Sequence, residues 1–172
     1  DRSDIYTGFT THLIDDEIVD RFYEGEDVFL EKGTIKLHLN EFIMLVSSSN
    51  EKKTALAKFY NYSKPLKKIN GEHKKGIWGI KPRNKEQSFA LDLLLDPEVS
   101  VVTLVGKAGS GKTLLAIAAG LSQVVEDNKQ TRYRRLVVSR PIQPMGKDIG
   151  YLPGSLEEKM APWLAPIQDN LQ

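Results

Sequence analysis

Residues 106–113 read Gly106-Lys107-Ala108-Gly109-Ser110-Gly111-Lys112-Thr113. This fills the pattern G-x-x-x-x-G-K-[ST], whose residue types suit the handling of phosphate groups. Successive backbone N–H groups of such a loop can wrap phosphate oxygens. Gly106 and Gly111 permit turn geometry and a backbone approach that a Cβ would block. Lys112 can set its ammonium against β- and γ-phosphates, and the Thr113 hydroxyl can hold Mg²⁺, a hard cation that prefers oxygen. Ala108, Gly109 and Ser110 keep the loop slim. The implied ligand is a nucleoside triphosphate with Mg²⁺, and the implied chemistry is phosphoryl transfer. The bland alternative is a Gly-rich strand-to-helix turn that binds nothing. The flanks argue against it: a β-branched run precedes the loop, and strong helix formers follow it.

Gln87 is a second candidate, upstream of the loop in Lys81-Pro82-Arg83-Asn84-Lys85-Glu86-Gln87. A carboxamide both donates and accepts, which matches the N7/N6 edge of adenine. Superfamily-one helicases use a glutamine at a similar position to select adenine. The competing reading is a surface glutamine on a helix. Arg140, in Ser139-Arg140-Pro141, could approach phosphate or nucleic acid, or could form a structural ion pair. Trp163, between Pro162 and Pro166, reads as packing. Trp78 reads as an anchor for its segment, with support of an adenine pocket as the alternative. Glu157 and Glu158 are adjacent and would diverge on a helix, so they form no acid–base dyad. His12, His38 and His73 lack metal-ligand spacing, and no G-x-S-x-G arrangement occurs.

These residues need elements to hold them. Residues 99–105 read as a buried strand feeding the loop, 112–125 as a helix and 135–139 as the next strand. That order predicts a βαβ unit with parallel strands and a right-handed crossover. Residues 84–95 read as an amphipathic helix with Phe89, Leu91, Leu94 and Leu95 on its apolar side, stopped at Asp96-Pro97. Residues 61–82 read as a basic linker. Ahead of it, 28–30, 35–39, 42–46 and 54–60 look like strands divided by turn residues. Asp4 to Phe9 looks extended, and 15–23 looks like a short helix with carboxylates in its first turn and Gly25 at its end. The expected fold is therefore α/β, a RecA-like P-loop NTPase core with a parallel sheet, preceded by a small β-rich module such as a curled sheet or barrel.

The chain has 172 residues, 40% apolar and 27% charged, a balance typical of globular proteins. It has no cysteine, which excludes disulfides and thiolate metal sites and fits a reducing compartment. No apolar run is long enough to cross a membrane and no signal peptide is visible, so a cytoplasmic protein is expected. A chain that opens on Asp1 reads as part of a longer natural protein. The net charge is only +1, but it is unevenly placed. Acids crowd residues 1–31, whereas 64–85 and 129–147 are basic. Two basic stretches could contact a nucleic-acid backbone, and a solvated surface balanced by the acidic arm is the alternative.

A phosphate-loop ATPase also needs a second strand ending in an acid that orders Mg²⁺ and the attacking water. No apolar run after residue 139 ends in Asp or Glu. The sequence is thus expected to build the nucleotide cradle but not the full catalytic site, as a truncated segment would.

Three blocks together resemble the PhoH-like ATPases: Ile80 to Gln87, the loop 106–113, and Ser139-Arg140-Pro141 with Met145-Gly146-Lys147-Asp148-Ile149-Gly150-Tyr151-Leu152-Pro153-Gly154. The last block is the most specific, and Leu156 to Trp163 continues it. The motif resemblance covers 77–172, the N-terminal part of such an ATPase domain. Residues 1–76 are similar to the segment that joins a PIN nuclease domain to the ATPase in the fused form of that family. The resemblance implies ATP and Mg²⁺ as cofactors, RNA unwinding coupled to RNA cleavage in the full-length form, and a homo-oligomer, such as a ring. It places the family's phosphate-loop residues at 106–113 and its adenine-side glutamine at Gln87. The PIN carboxylates are missing here, so no RNA cleavage is expected of these residues alone. Two further readings remain: a nucleic-acid-binding module with ATP as a conformational ligand, and a small-molecule kinase, which the Met145 to Pro153 block disfavours.

Overall fold

The computed structural model describes residues 6–69, 77, 79–125 and 131–139. The chain divides into two compact units, residues 1–72 and 73–172.

The first unit is a mixed four-stranded sheet with one helix. Strand β1 (Phe9–Ile14) is followed by helix α1 (Asp16–Glu24), then strands β2 (Glu41–Ser47), β3 (Thr54–Phe59) and β4 (Lys67–Lys68), in the spatial order β1-β2-β3-β4. β1 and β2 are parallel, whereas the β2–β3 and β3–β4 pairs are antiparallel. Parallel neighbours need a crossover, and α1 lies in that connection. Strand periodicity turns Ile43, Leu45, Ala55 and Ala57 to one face, where they pack with Val19 and Phe22 of α1 and with Phe59. Gly25 ends α1 at φ 89°, a left-handed conformation that favours glycine. The Glu26 N–H then reaches back to the Arg21 carbonyl at 3.0 Å, so the last turn keeps a partner.

Charge ties the start of α1 to the β2–β3 turn. The Lys53 ammonium lies 2.8 Å from Asp16 and 2.6 Å from Asp20, and the Ser47 hydroxyl donates to Asp16 at 2.6 Å. The Lys53 and Ser47 hydrogen bonds hold the Asp16 carboxyl below its ordinary value of 3.8. A carboxyl with a depressed folded pKa stabilises the fold above its ordinary value, and that contribution disappears as pH falls through the folded value. Asp16→Asn should therefore lower the urea midpoint at pH 7, and the gap from wild type should close as pH falls below 3.8 and through the depressed folded value. A gap that persists down to the acid end of the titration would mean the network contributes through packing rather than charge.

The sheet differs from the sequence reading in identifiable places. The expected strands at 42–46 and 54–60 are present as β2 and β3. The runs 28–30 and 35–39 form no strand. Val28 and Leu30 are buried in the core, and Ile35 and Leu37 pack against it. Their backbone groups find single partners instead: Leu66 N–H to the Val28 carbonyl at 2.8 Å, and the Tyr62 hydroxyl to the Ile35 carbonyl at 2.8 Å. β1 starts where only the end of an extended polar segment was expected.

In the second unit, helix α2 (Lys85–Leu95) and helix α3 (Lys112–Ser122) pack through Leu91, Leu115 and Ala119, with Ala90, Leu94, Leu95, Ile77 and Ile80 around them. The runs 99–105 and 135–139 form no strand, so the expected parallel βαβ ladder is not made among the described residues. Strand formation requires a paired neighbour, and β-propensity alone does not supply one. Val101 and Val105 are 82% and 90% exposed, so the expectation of a buried strand is corrected there. Leu136 still meets α3, because a Cβ added at Gly120 would lie 2.7 Å from its Cδ1. No helix of the described residues is long and apolar enough to cross a membrane.

Candidate functional site

The loop between residue 105 and α3 is shaped by two glycines with positive φ. The Ser110 N–H donates to the Lys107 carbonyl at 3.3 Å, closing a turn whose third residue, Gly109, has φ 78°. This is the position at which a type II turn needs positive φ. Gly111 has φ 81° and stands as the N-cap of α3 with no capping side chain, and the first helical bond runs from the Leu115 N–H to its carbonyl at 2.9 Å. Gly106 leaves room for Ser110: a Cβ there would stand 3.2 Å from the hydroxyl oxygen, so the serine would have to shift by a few tenths of an ångström.

The first turn of α3 carries no acidic residue. A helix start gathers unsatisfied N–H groups and partial positive charge, which acids normally offset. Here Lys112 adds a full positive charge instead. Its ammonium donates to the Gly106 carbonyl at 2.8 Å, the Lys107 carbonyl at 2.7 Å and the Ser110 hydroxyl at 3.1 Å. All three acceptors are neutral, and Lys112 forms no ion pair among the described residues. The arrangement concentrates positive potential on one short loop, which is what an anion site requires. Thr113 is exposed at the same helix start, with its hydroxyl in the first turn. The residues therefore fit a polyphosphate with Mg²⁺: N–H groups, an ammonium and a hydroxyl on one loop. No cluster of His, Cys, Asp or Glu suited to hold a metal alone occurs among the described residues.

α2 brings Gln87 to this loop. Asn84 caps α2, accepting from the Gln87 N–H at 2.8 Å. The Gln87 side chain accepts from the Arg83 N–H at 2.7 Å and donates to the Ser110 carbonyl at 3.2 Å. The sequence reading placed Gln87 near a nucleotide, but nothing in the residue pattern signalled its bond to Ser110. Gln123 was also missed. Its amide donates to the Leu94 carbonyl at 3.2 Å and to the Ala119 carbonyl at 2.9 Å, which ties the ends of α2 and α3 together. A carbonyl left without a partner at a helix end is the only signal that could have suggested it.

Arg132, Tyr133, Arg134 and Arg135 are exposed, and the Arg132 guanidinium lies 6.0 Å from the centre of the Tyr133 ring. Trp78, His73, Arg140, Glu157, Glu158, Trp163 and the Met145 to Gly154 block lie outside the described residues, as do parts of both basic stretches.

Comparison with known proteins places these residues in context. The family described as PhoH-like protein matches residues 79–172. "Protein PhoH2" of Bacillus subtilis (strain 168) is 41% identical over 177 residues, covering 100% of this chain and 38% of that protein. "Protein PhoH2" of Mycolicibacterium smegmatis is 38% identical over 169 residues, covering 97% of this chain and 36% of that protein. A "PhoH-like protein" of Mycobacterium leprae is 34% identical over 92 residues, 54% of this chain and 25% of that protein. The chain thus spans little more than a third of the length of these two PhoH2 proteins. No solved structure matches.

Proposed function

Because the chain belongs to the PhoH-like protein family, we propose that residues 77–172 are the ATP-binding part of an ATP hydrolase with a RecA-like P-loop core. One observation carries this reading: an acid-free helix start whose loop holds the Lys112 ammonium on neutral oxygens. In this role the backbone amides of 108–113 bind phosphate oxygens, Lys112 takes the β- and γ-phosphates, and Gln87 has the donor–acceptor pair to read adenine. The Thr113 hydroxyl helps hold Mg²⁺, which when bound supplies positive charge to the developing phosphoryl oxygens. Lys112 stabilises the same charge.

In the full-length form the proposed activity is ATP-dependent RNA unwinding or remodelling in the cytoplasm, in a homo-oligomer and coupled to a PIN ribonuclease. Residues 1–76 would then be the accessory module between nuclease and ATPase. Support for that assignment comes from coverage: the B. subtilis and M. smegmatis PhoH2 proteins match the chain nearly end to end, whereas the M. leprae protein matches about half of it. RNA contact is favoured by the exposed Arg132-Tyr133-Arg134-Arg135 run, where cations flank a ring on which a base can stack. The same run supports the second reading, a nucleic-acid-binding module in which ATP acts as a conformational ligand.

The test is calorimetric titration with ATP and GTP, each with and without Mg²⁺, followed by titration of single-stranded RNA at rising salt. Mg²⁺-dependent binding with ATP preferred is expected, as is RNA affinity that falls linearly on a log–log salt plot with a slope of about −0.7 per phosphate contact. Failure to bind either nucleotide defeats the first reading. A flat salt profile defeats the RNA contact.

A further inference from the structure

We infer that Gln87 is a positioning residue for the phosphate loop: its bond to the Ser110 carbonyl sets the direction of the peptide entering α3, whichever base is bound. The inference rests on the proposed nucleotide site and deepens it.

The geometry is specific. In a trans peptide the carbonyl and the following N–H point in opposite directions. The Ser110 carbonyl accepts from the Gln87 amide at 3.2 Å, so the Gly111 N–H is directed away from α2. That peptide joins Ser110 to Gly111, whose φ is positive at 81°. Glycine on its C-terminal side widens the choice of φ there, so local sterics do less to fix its direction and one outside hydrogen bond can decide it. The contact is close: a Cβ added at Gly111 would lie 3.3 Å from the Gln87 amide nitrogen.

Gln87 is itself held in place. The Asn84 side chain accepts its backbone N–H at 2.8 Å, and its side-chain oxygen accepts from the Arg83 N–H at 2.7 Å. The brace therefore runs from the capped start of α2, through one carboxamide, to the start of α3. Ser110 also takes part in holding Lys112, whose ammonium donates to the Ser110 hydroxyl at 3.1 Å. A shift of Ser110 would disturb both an amide and the ammonium that the proposal assigns to phosphate. A primary amide has two donor hydrogens and two acceptor lone pairs. The loop and Arg83 use one of each, which leaves one of each for adenine. Bracing the loop and reading the base are thus compatible tasks for one side chain.

The discriminating ligand is one without a base. Magnesium tripolyphosphate, ATP and GTP are titrated into wild type, Gln87→Ala and Gln87→Met, with amide hydrogen exchange followed at 109–111 and, as an internal control, at 115–119. All three ligands should weaken by about three- to tenfold in both variants, the worth of one neutral hydrogen bond. Exchange at 109–111 should quicken while 115–119 stays unchanged. Methionine restores bulk without the hydrogen bond, so it should not rescue. Weakened ATP with unchanged tripolyphosphate and GTP overturns the inference, because Gln87 would then touch only the base. Rescue by methionine also overturns it. Unchanged exchange at 109–111 in the variants overturns it without any ligand, whereas quickened exchange in the variants, beside a wild type that binds none of the three ligands, defeats the nucleotide site and leaves the brace supported.

Discussion

Lys112→Ala is expected to lower the affinity for Mg²⁺-ATP at least tenfold and to leave the thermal unfolding of the chain unchanged. A hydrogen bond to a charged group contributes about 1.5–3 kcal/mol, or roughly ten- to a hundredfold in affinity, and Lys112 is assigned two phosphates. The fold should not suffer, because the three bonds of Lys112 reach only loop oxygens, whereas α3 is anchored by Leu115, Ala118 and Ala119. A cation in the first turn of a helix is unfavourable to the helix dipole, and alanine is the better helix former. Lys112 thus stands where stability alone would not place it. Lys112→Arg keeps the charge but exchanges a compact ammonium for a planar fork, and it should restore little. Calorimetry measures the affinity, and circular dichroism on heating measures the fold. ATP affinity equal to wild type in Lys112→Ala would remove the lysine from the site.

The loop was legible because its requirements are local. Two positive φ values, a lysine one residue after Gly111 and an acid-free helix start are all written within eight residues. Helix ends were legible for the same reason: Asn84 caps α2, and Gly25 ends α1 in the left-handed conformation that its type allows. Strands were less legible because a strand is a relation between distant segments. The run 99–105 has the composition of a strand, yet no ladder forms on it among the described residues. β1 contains Thr10, Thr11 and His12, which the residue pattern assigns to no element, but it pairs in parallel with β2 far along the chain. Lys58 shows the same limit. It is 0% exposed within β3, where lysine would be expected at the surface, and it lies 4.9 Å from the Tyr60 ring centre. The bond from Gln87 to Ser110 depends on how α2 approaches the loop, and no spacing rule contains that.

Phe22→Ala should destabilise the sheet unit by about 3–5 kcal/mol, the usual cost of removing a buried aromatic ring. Phe22 is 2% exposed, and its cluster contains Val19, Ile43, Leu45, Ala55, Ala57 and Phe59. The effect should be near the top of the range for two reasons. α1 has nine residues, too few to be stable as an isolated helix, so its stability derives from the packing that Phe22 provides. α1 also covers the sheet face of β2 and β3, so a cavity beneath it loosens helix and strands together. Tyr23 is the control. It is the next residue on α1 but 49% exposed, and its ring lies 4.7 Å from the Lys68 ammonium. Tyr23→Ala should cost about 1–2 kcal/mol, the scale of an exposed cation–π contact and the hydrogen bond its hydroxyl donates to the Thr54 carbonyl. Hydrogen exchange at the amides of Ile43, Leu45 and Ala57 reports this unit directly, and protection there should fall far more in Phe22→Ala than in Tyr23→Ala. Equal losses in the two variants would mean that α1 does not cover the sheet as the packing describes. The stability of the unit would then have to come from the strand ladder and the Asp16–Lys53 network instead.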